Sequence, residues 1–98
     1  MADSRNLELR ARRFRALGDP LRLGIVERLA AGPCCVCDLK DRFGTAGPLL
    51  SHHLGVLRDA GIVTATRQGR WVHYALDHDT VAELLTTTAT ETHPVGVP

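Results

Sequence analysis

The sequence predicts a mainly α domain with a small β element (α+β): a winged helix-turn-helix of five helices with a two-stranded β-hairpin wing. Three observations carry this reading. Amphipathic segments recur along the first sixty residues, and each closes at a glycine, at 18, 32, 44 and 61. Two of them are separated only by the tight turn Gly44-Thr45-Ala46-Gly47, which is the helix-turn-helix pattern. Directly after the second come two β-prone runs around Arg67-Gln68-Gly69-Arg70, which read as a hairpin. At 98 residues the chain is one domain, placed at 1–87, with a polar tail over 88–98 expected to be flexible.

The elements follow in order. Leu7, Ala11, Phe14 and Leu17 recur at spacings of four and three, so Ser4–Leu17 reads as a helix with an apolar stripe. Asp19 is suited to cap and Pro20 to open the second helix, which carries Ile25, Val26 and Leu29 on one face and ends at Gly32-Pro33. A short third helix is expected over Cys35–Phe43, with Val36, Leu39 and Phe43 buried. The fourth, Pro48–Ala60, has Leu50, Leu54 and Leu57 on its inner face and Ser51, His52 and Arg58 off it. The strands are expected at Ile62–Thr66 and Trp71–Leu76. A last helix covers His78–Thr87, with Val81, Leu84 and Leu85 apolar.

Composition narrows the function classes. No run approaches the ~20 apolar residues of a membrane span, and the N-terminal stretch has no signal-peptide core. The expected compartment is the cytoplasm, with reduced thiols. Net charge is only +1, but of the 12 basic residues all except Lys40 are arginine, the residue suited to phosphate forks and groove edges. Those charges are either a solvated surface or a nucleic-acid footprint. No phosphate-cradling loop and no cofactor motif is present, so an enzyme is not expected. In a helix-turn-helix the second helix lies in the major groove and an arginine-bearing wing reaches the flanking backbone or minor groove. Ser51, His52 and His53 stand where reading residues belong, although one histidine is as readily a packing residue. Arg67, Gln68 and Arg70 stand at the wing, as DNA contacts or as a solvated turn. Trp71 and Tyr74 read as hairpin packing.

The run from Leu50 to Gly61, LSHHLGVLRDAG, resembles the ArsR/SmtB family of metal-responsive repressors. Arg67–Leu76, RQGRWVHYAL, resembles that family's wing, and Phe14–Arg22, FRALGDPLR, also matches. The resemblance spans roughly 7–85. It implies a homodimer, paired through the first and last helices, that binds an inverted-repeat operator on double-stranded DNA until an inducer releases it.

Cys34, Cys35 and Cys37 then stand out. Within the family, Cys35-Val36-Cys37-Asp38-Leu39 is similar to the inducer site of the arsenic and cadmium/lead sensors. Thiolates are ligands for soft ions. Arsenic sensors of this kind carry a third cysteine where this chain has Lys40, and Cys34 is expected to replace it, giving a three-sulfur site for As(III) or Sb(III). At this helix start, expected to face solvent, Cys34 and Cys37 share a face, while Cys35 and Cys37 point about 200° apart and meet only if the helix start unwinds. The alternatives are a cadmium/lead-type site, a thiol redox switch, or cysteines acting as small buried hydrophobes.

Overall fold

The computed structural model describes residues 4–91. Five helices and a three-stranded antiparallel sheet follow in the order α1 (Ser4–Leu17), α2 (Pro20–Leu29), β1 (Cys34–Cys35), α3 (Val36–Phe43), α4 (Gly47–Asp59), β2 (Val63–Gln68), β3 (Trp71–Leu76) and α5 (His78–Glu91). Helices α3 and α4 form the helix-turn-helix, and β2–β3 form the wing.

Local chemistry sets the boundaries. Asp19 caps α2, with Oδ2 accepting from the Leu21 and Arg22 amides at 2.9 and 3.1 Å, and Pro20 fills the first turn, where its missing N–H costs nothing. The Arg22 amide holds the Asp19 carboxyl below its ordinary pKa, helped by nearby His53. Gly44 ends α3 in the left-handed region at φ 60°, a conformation that penalises any side chain with a Cβ. Asp77 opens α5 by accepting from the Thr80 amide at 3.0 Å. That last helix runs past the expected Thr87 to Glu91; no glycine or proline interrupts the sequence before Pro94. Residues 92–98 of the expected tail lie outside those described.

The core is built from one face of each element. Ile25 and Leu29 of α2, Leu39 of α3, Leu50, Leu54 and Leu57 of α4, and Ile62, Val63 and Leu76 around the wing base pack into one buried cluster. Each such side chain contributes roughly 1.5–3 kcal/mol by leaving water. A Cβ at Gly24 of α2 would meet the Phe43 ring of α3 at 3.0 Å, so the ring would have to give by a few tenths of an ångström.

Three sequence expectations are corrected. The sheet has a third strand: it is ordered β1-β3-β2, with Cys34 opposite Tyr74 and Cys35 opposite His73. Helix α3 accordingly begins at Val36, with Cys35 as its N-cap, so Cys34 and Cys35 lie on a strand. The ladder to β3 pairs the backbone just ahead of the helix, and Cys35 Sγ accepts from one of the amides left free in its first turn. The hairpin also extends to Gln68, paired with Trp71.

The core assignment is tested at its centre. Leu54→Ala is expected to cost about 2–5 kcal/mol, measured as a lowered midpoint in urea with an unchanged slope. A loss below 1 kcal/mol would mean that α4 is not anchored by this leucine.

Candidate inducer and DNA interfaces

The helix-turn-helix presents its second helix through a buried leucine stripe. With Leu50, Leu54 and Leu57 turned inward, the opposite face of α4 is left to solvent. Ser51 and His52 are exposed there, whereas His53 is partly buried. Arg22 Nη1 lies 3.0 Å from His53 Nδ1. A guanidinium only donates, so Nδ1 accepts. Arg22 Nε donates in turn to the Ala16 carbonyl at 2.8 Å. One side chain therefore ties the C-terminal turn of α1 and the start of α2 to the reading helix. Of the two sequence alternatives for the histidines, His53 takes the packing role. His52 stays outward, its ring 5.3 Å from that of His53 in an edge-on arrangement. Arg13 adds a second tie, Nε donating to the Ala60 carbonyl at 3.0 Å. Arg22 and Arg13 lacked any sequence signal as positioning residues, because their partners lie 31 and 47 residues away.

At the wing, Arg67, Gln68 and Arg70 are all exposed. Trp71 does not pack into the hairpin as expected: it is 51% exposed, standing at the turn end of β3 opposite exposed Gln68. Tyr74, on the other side, packs against the core.

The cysteine cluster differs from its sequence reading in geometry. Cys34 is only 3% exposed and belongs to the hydrophobic core; its Sγ lies 3.6 Å from the Cys35 carbonyl. Cys34 therefore does not share a solvent-facing helix face with Cys37. Cys35 and Cys37 are instead brought together without unwinding the helix. The Cys35 Sγ caps α3, accepting from the Cys37 amide at 3.3 Å. The neighbouring Cys35 thiol, reinforced by burial, raises the Cys37 pKa. Burial pushes the Cys34 thiol up too, against the opposing pull of Arg28. All three are free thiols. Among the described residues no three His, Cys, Asp or Glu side chains are gathered to hold a metal ion. The donors suit a thiophilic ion, but two sulfurs are adjacent and the third lies in the core.

Across the strand pair from Cys35 stands His73, whose Nδ1 is buried with no hydrogen-bond partner among the described residues. The cysteine segment is thus hydrogen-bonded into the wing sheet, a link with no signature in the sequence.

Among the described residues no helix is long and apolar enough to cross a membrane. On α1 and α5, Leu7, Phe14 and Leu85 are left exposed.

Comparison with known proteins agrees with this geometry. Residues 19–65 match the family described as bacterial regulatory protein, arsR family. The arsenical resistance operon repressor of Bacillus subtilis is 40% identical over 74 residues, covering 74% of this chain and 70% of that protein. A crystal structure of an ArsR family transcriptional regulator superposes with a TM-score of 0.80 at 30% identity, covering 93% of this chain and 92% of that one. The homodimeric winged helix-turn-helix DNA-binding domain from Mycobacterium bovis, a possible ArsR-family regulator, gives 0.75 at 25% identity, covering 99% and 97%.

The two histidines should separate in stability. His53→Ala removes the acceptor for Arg22 and is expected to cost about 1–2 kcal/mol. His52→Ala, with its ring in solvent, should stay within about 0.5 kcal/mol of the parent. Chemical denaturation of both variants measures the contrast, and equal losses would refute the cross-link.

Proposed function

The chain belongs to the ArsR family of bacterial transcriptional repressors, DNA-binding regulators rather than enzymes, and on that premise we propose that it is a homodimeric repressor released from an inverted-repeat operator by trivalent arsenic or antimony at Cys34, Cys35 and Cys37. The observation that carries the inducer reading is the Cys35–Cys37 pair at the cap of α3. Its second support is the likeness to an arsenical resistance operon repressor.

The residues suggest how release works. Cys35 caps the first helix of the helix-turn-helix through sulfur. Once that sulfur serves as a ligand, the Cys37 amide loses its acceptor and the first turn of α3 is free to open. Bringing in Cys34 demands more, because its side chain must leave the core and β1 must turn away from Tyr74 and His73. Both movements displace elements that frame α4 and the wing. The DNA-bound and inducer-bound geometries then compete, and the coupling is reciprocal. A bound trivalent ion supplies only soft, thiol-seeking Lewis acidity.

In the DNA-bound state Ser51 and His52 face base edges, and Arg67, Gln68 and Arg70 meet phosphate or minor groove. His53 holds α4 to Arg22. The exposed Leu7 and Phe14 of α1 and Leu85 of α5 supply the apolar surface for the second copy, as the homodimeric neighbour suggests. A regulator that acts on operator DNA would work in the cytoplasm, where the chromosome of a prokaryotic cell lies.

The test is direct. A labelled duplex selected by the protein from a random pool is titrated with As(III), expecting release near stoichiometry with protein. Cys37→Ser should bind DNA equally well and lose the response. Release that requires an oxidant would favour a thiol redox sensor instead. The pH dependence distinguishes trivalent arsenic from a cadmium/lead-type cation. Cys34 and Cys37 have raised pKa values, so both are protonated at neutral pH. Exchange of an arsenic-bound hydroxyl for a protonated thiol releases water and no proton, so apparent affinity should be flat from pH 6 to 8. A divalent cation displaces a proton from each thiol, and its affinity would climb about tenfold per pH unit per thiol.

The wing has its own signature. Arg67→Ala and Arg70→Ala should each weaken binding to every duplex by a similar factor, and each should lower the slope of log affinity against log salt by about 1. A sequence-selective loss, or an unchanged slope, would remove them from the phosphate contacts.

A further inference from the structure

The reading face of α4 is chemically unusual for a helix that recognises sequence. Between Gly47 and Leu57 it carries no arginine, lysine, asparagine or glutamine, which are the side chains that fork onto guanine or adenine in the major groove. Its basic residue, Arg58, lies in the last turn, away from the N-terminal residues that meet base edges in this motif. Ser51 and His52 are the outward polar groups. The largest outward apolar group is Leu49, in the first turn.

Leu49 is 50% exposed and takes no part in the core, whereas its neighbour Leu50 is 1% exposed. The two are separated by one helical step of about 100°. Leu49 also precedes His52 by three residues, so the two side chains are neighbours on one face. The adjoining polar face is low: Gly55, four residues after Ser51 and three after His52, has no side chain, and a Cβ there would meet nothing within 4 Å. The leucine therefore stands above a low-relief helix surface, continuous with the polar reading residues.

We propose that Leu49 is a specificity-determining residue that reads thymine 5-methyl groups in the major groove. The thymine methyl is the apolar feature of that groove, and an aliphatic side chain recognises it by excluding water from both. Leu49 thus selects a thymine within each half-site, and His52 and Ser51 supply the adjacent polar contacts. This rests on the DNA-binding reading above.

The experiment uses the full chain. A random duplex pool is selected on the wild-type protein, and each thymine of the resulting sequence is then replaced singly by uracil, which differs only by the missing methyl. One position per half-site is expected to lose about fourfold in affinity, the equivalent of one apolar carbon group, and about sixteenfold when both half-sites are changed. Leu49→Ala should bind the thymine and uracil duplexes alike at that position. Leu49→Gln, selected on a fresh pool, should move the preference there toward adenine. Uracil tolerated at every position, or an unchanged uracil penalty in Leu49→Ala, overturns the assignment while leaving DNA binding intact. If no duplex is enriched at all, the operator reading fails and Leu49 falls with it.

Discussion

Two residues of strand pairing hold the functional parts of this molecule together. Where Cys34 and Cys35 lie against Tyr74 and His73, the chain is fixed as a strand, and three consequences follow. Helix α3 starts at Val36 and not earlier. Cys34 is turned into the core. Cys35 is left at the helix cap, within reach of Cys37. The same pairing makes the cysteine segment the third strand of the wing sheet. Without it the cysteines would sit on a helix end linked only to α3, and the wing would be a free hairpin. A two-stranded hairpin is marginal on its own, so β1 and the core beneath it give the wing its fixed direction.

Much of this fold was legible in the residues. Asp19-Pro20 and Gly44 mark helix ends by local chemistry, and the Leu50, Leu54 and Leu57 stripe marks the inner face of α4 by spacing alone. The reading failed where tertiary pairing overrode local pattern. A two-residue strand has no periodicity, and its only evidence is its partner some forty residues later. Cys34 consequently read as a helical thiol facing solvent. The Arg22–His53 bond is invisible for the same reason: each residue is ordinary in its own helix. Of the candidate DNA residues, Ser51, His52, Arg67, Gln68 and Arg70 lie exposed as expected. Which of the two histidines packs was not legible in the sequence, because Arg22 lies 31 residues from His53.

Arg22 explains how so small a domain keeps its reading helix in place. The leucine stripe fixes the depth of α4 but leaves rotation and tilt loosely defined, because dispersion and hydrophobic contacts are non-directional. A charged donor joined to both Ala16 and His53 supplies direction, and Arg13 does the same at the far end of the helix through Ala60. Both lie on or beside α1, the helix assigned to the subunit interface. Orientation of the reading helix is thereby tied to the element that would set the spacing between two half-sites.

The weight of the switch is best located by asking what each part can contribute. A tenfold change in DNA affinity needs about 1.4 kcal/mol of coupling. Sulfur is a weak hydrogen-bond acceptor, so surrendering the Cys35 cap perturbs α3 by less than the ~1 kcal/mol of an ordinary oxygen cap. Loss of the cap alone would barely loosen an operator. Extracting Cys34 is different. It opens the β1–β3 ladder and uncovers core beside the wing base, and the wing direction and the α3 start change together. Two sulfurs at the cap would therefore make a sensor that binds its ion without releasing DNA. A third, drawn from the core, makes binding incompatible with the wing as it stands. Under the inducer reading proposed above, Cys34 would be the thiol that converts capture into release, because it alone must leave the core.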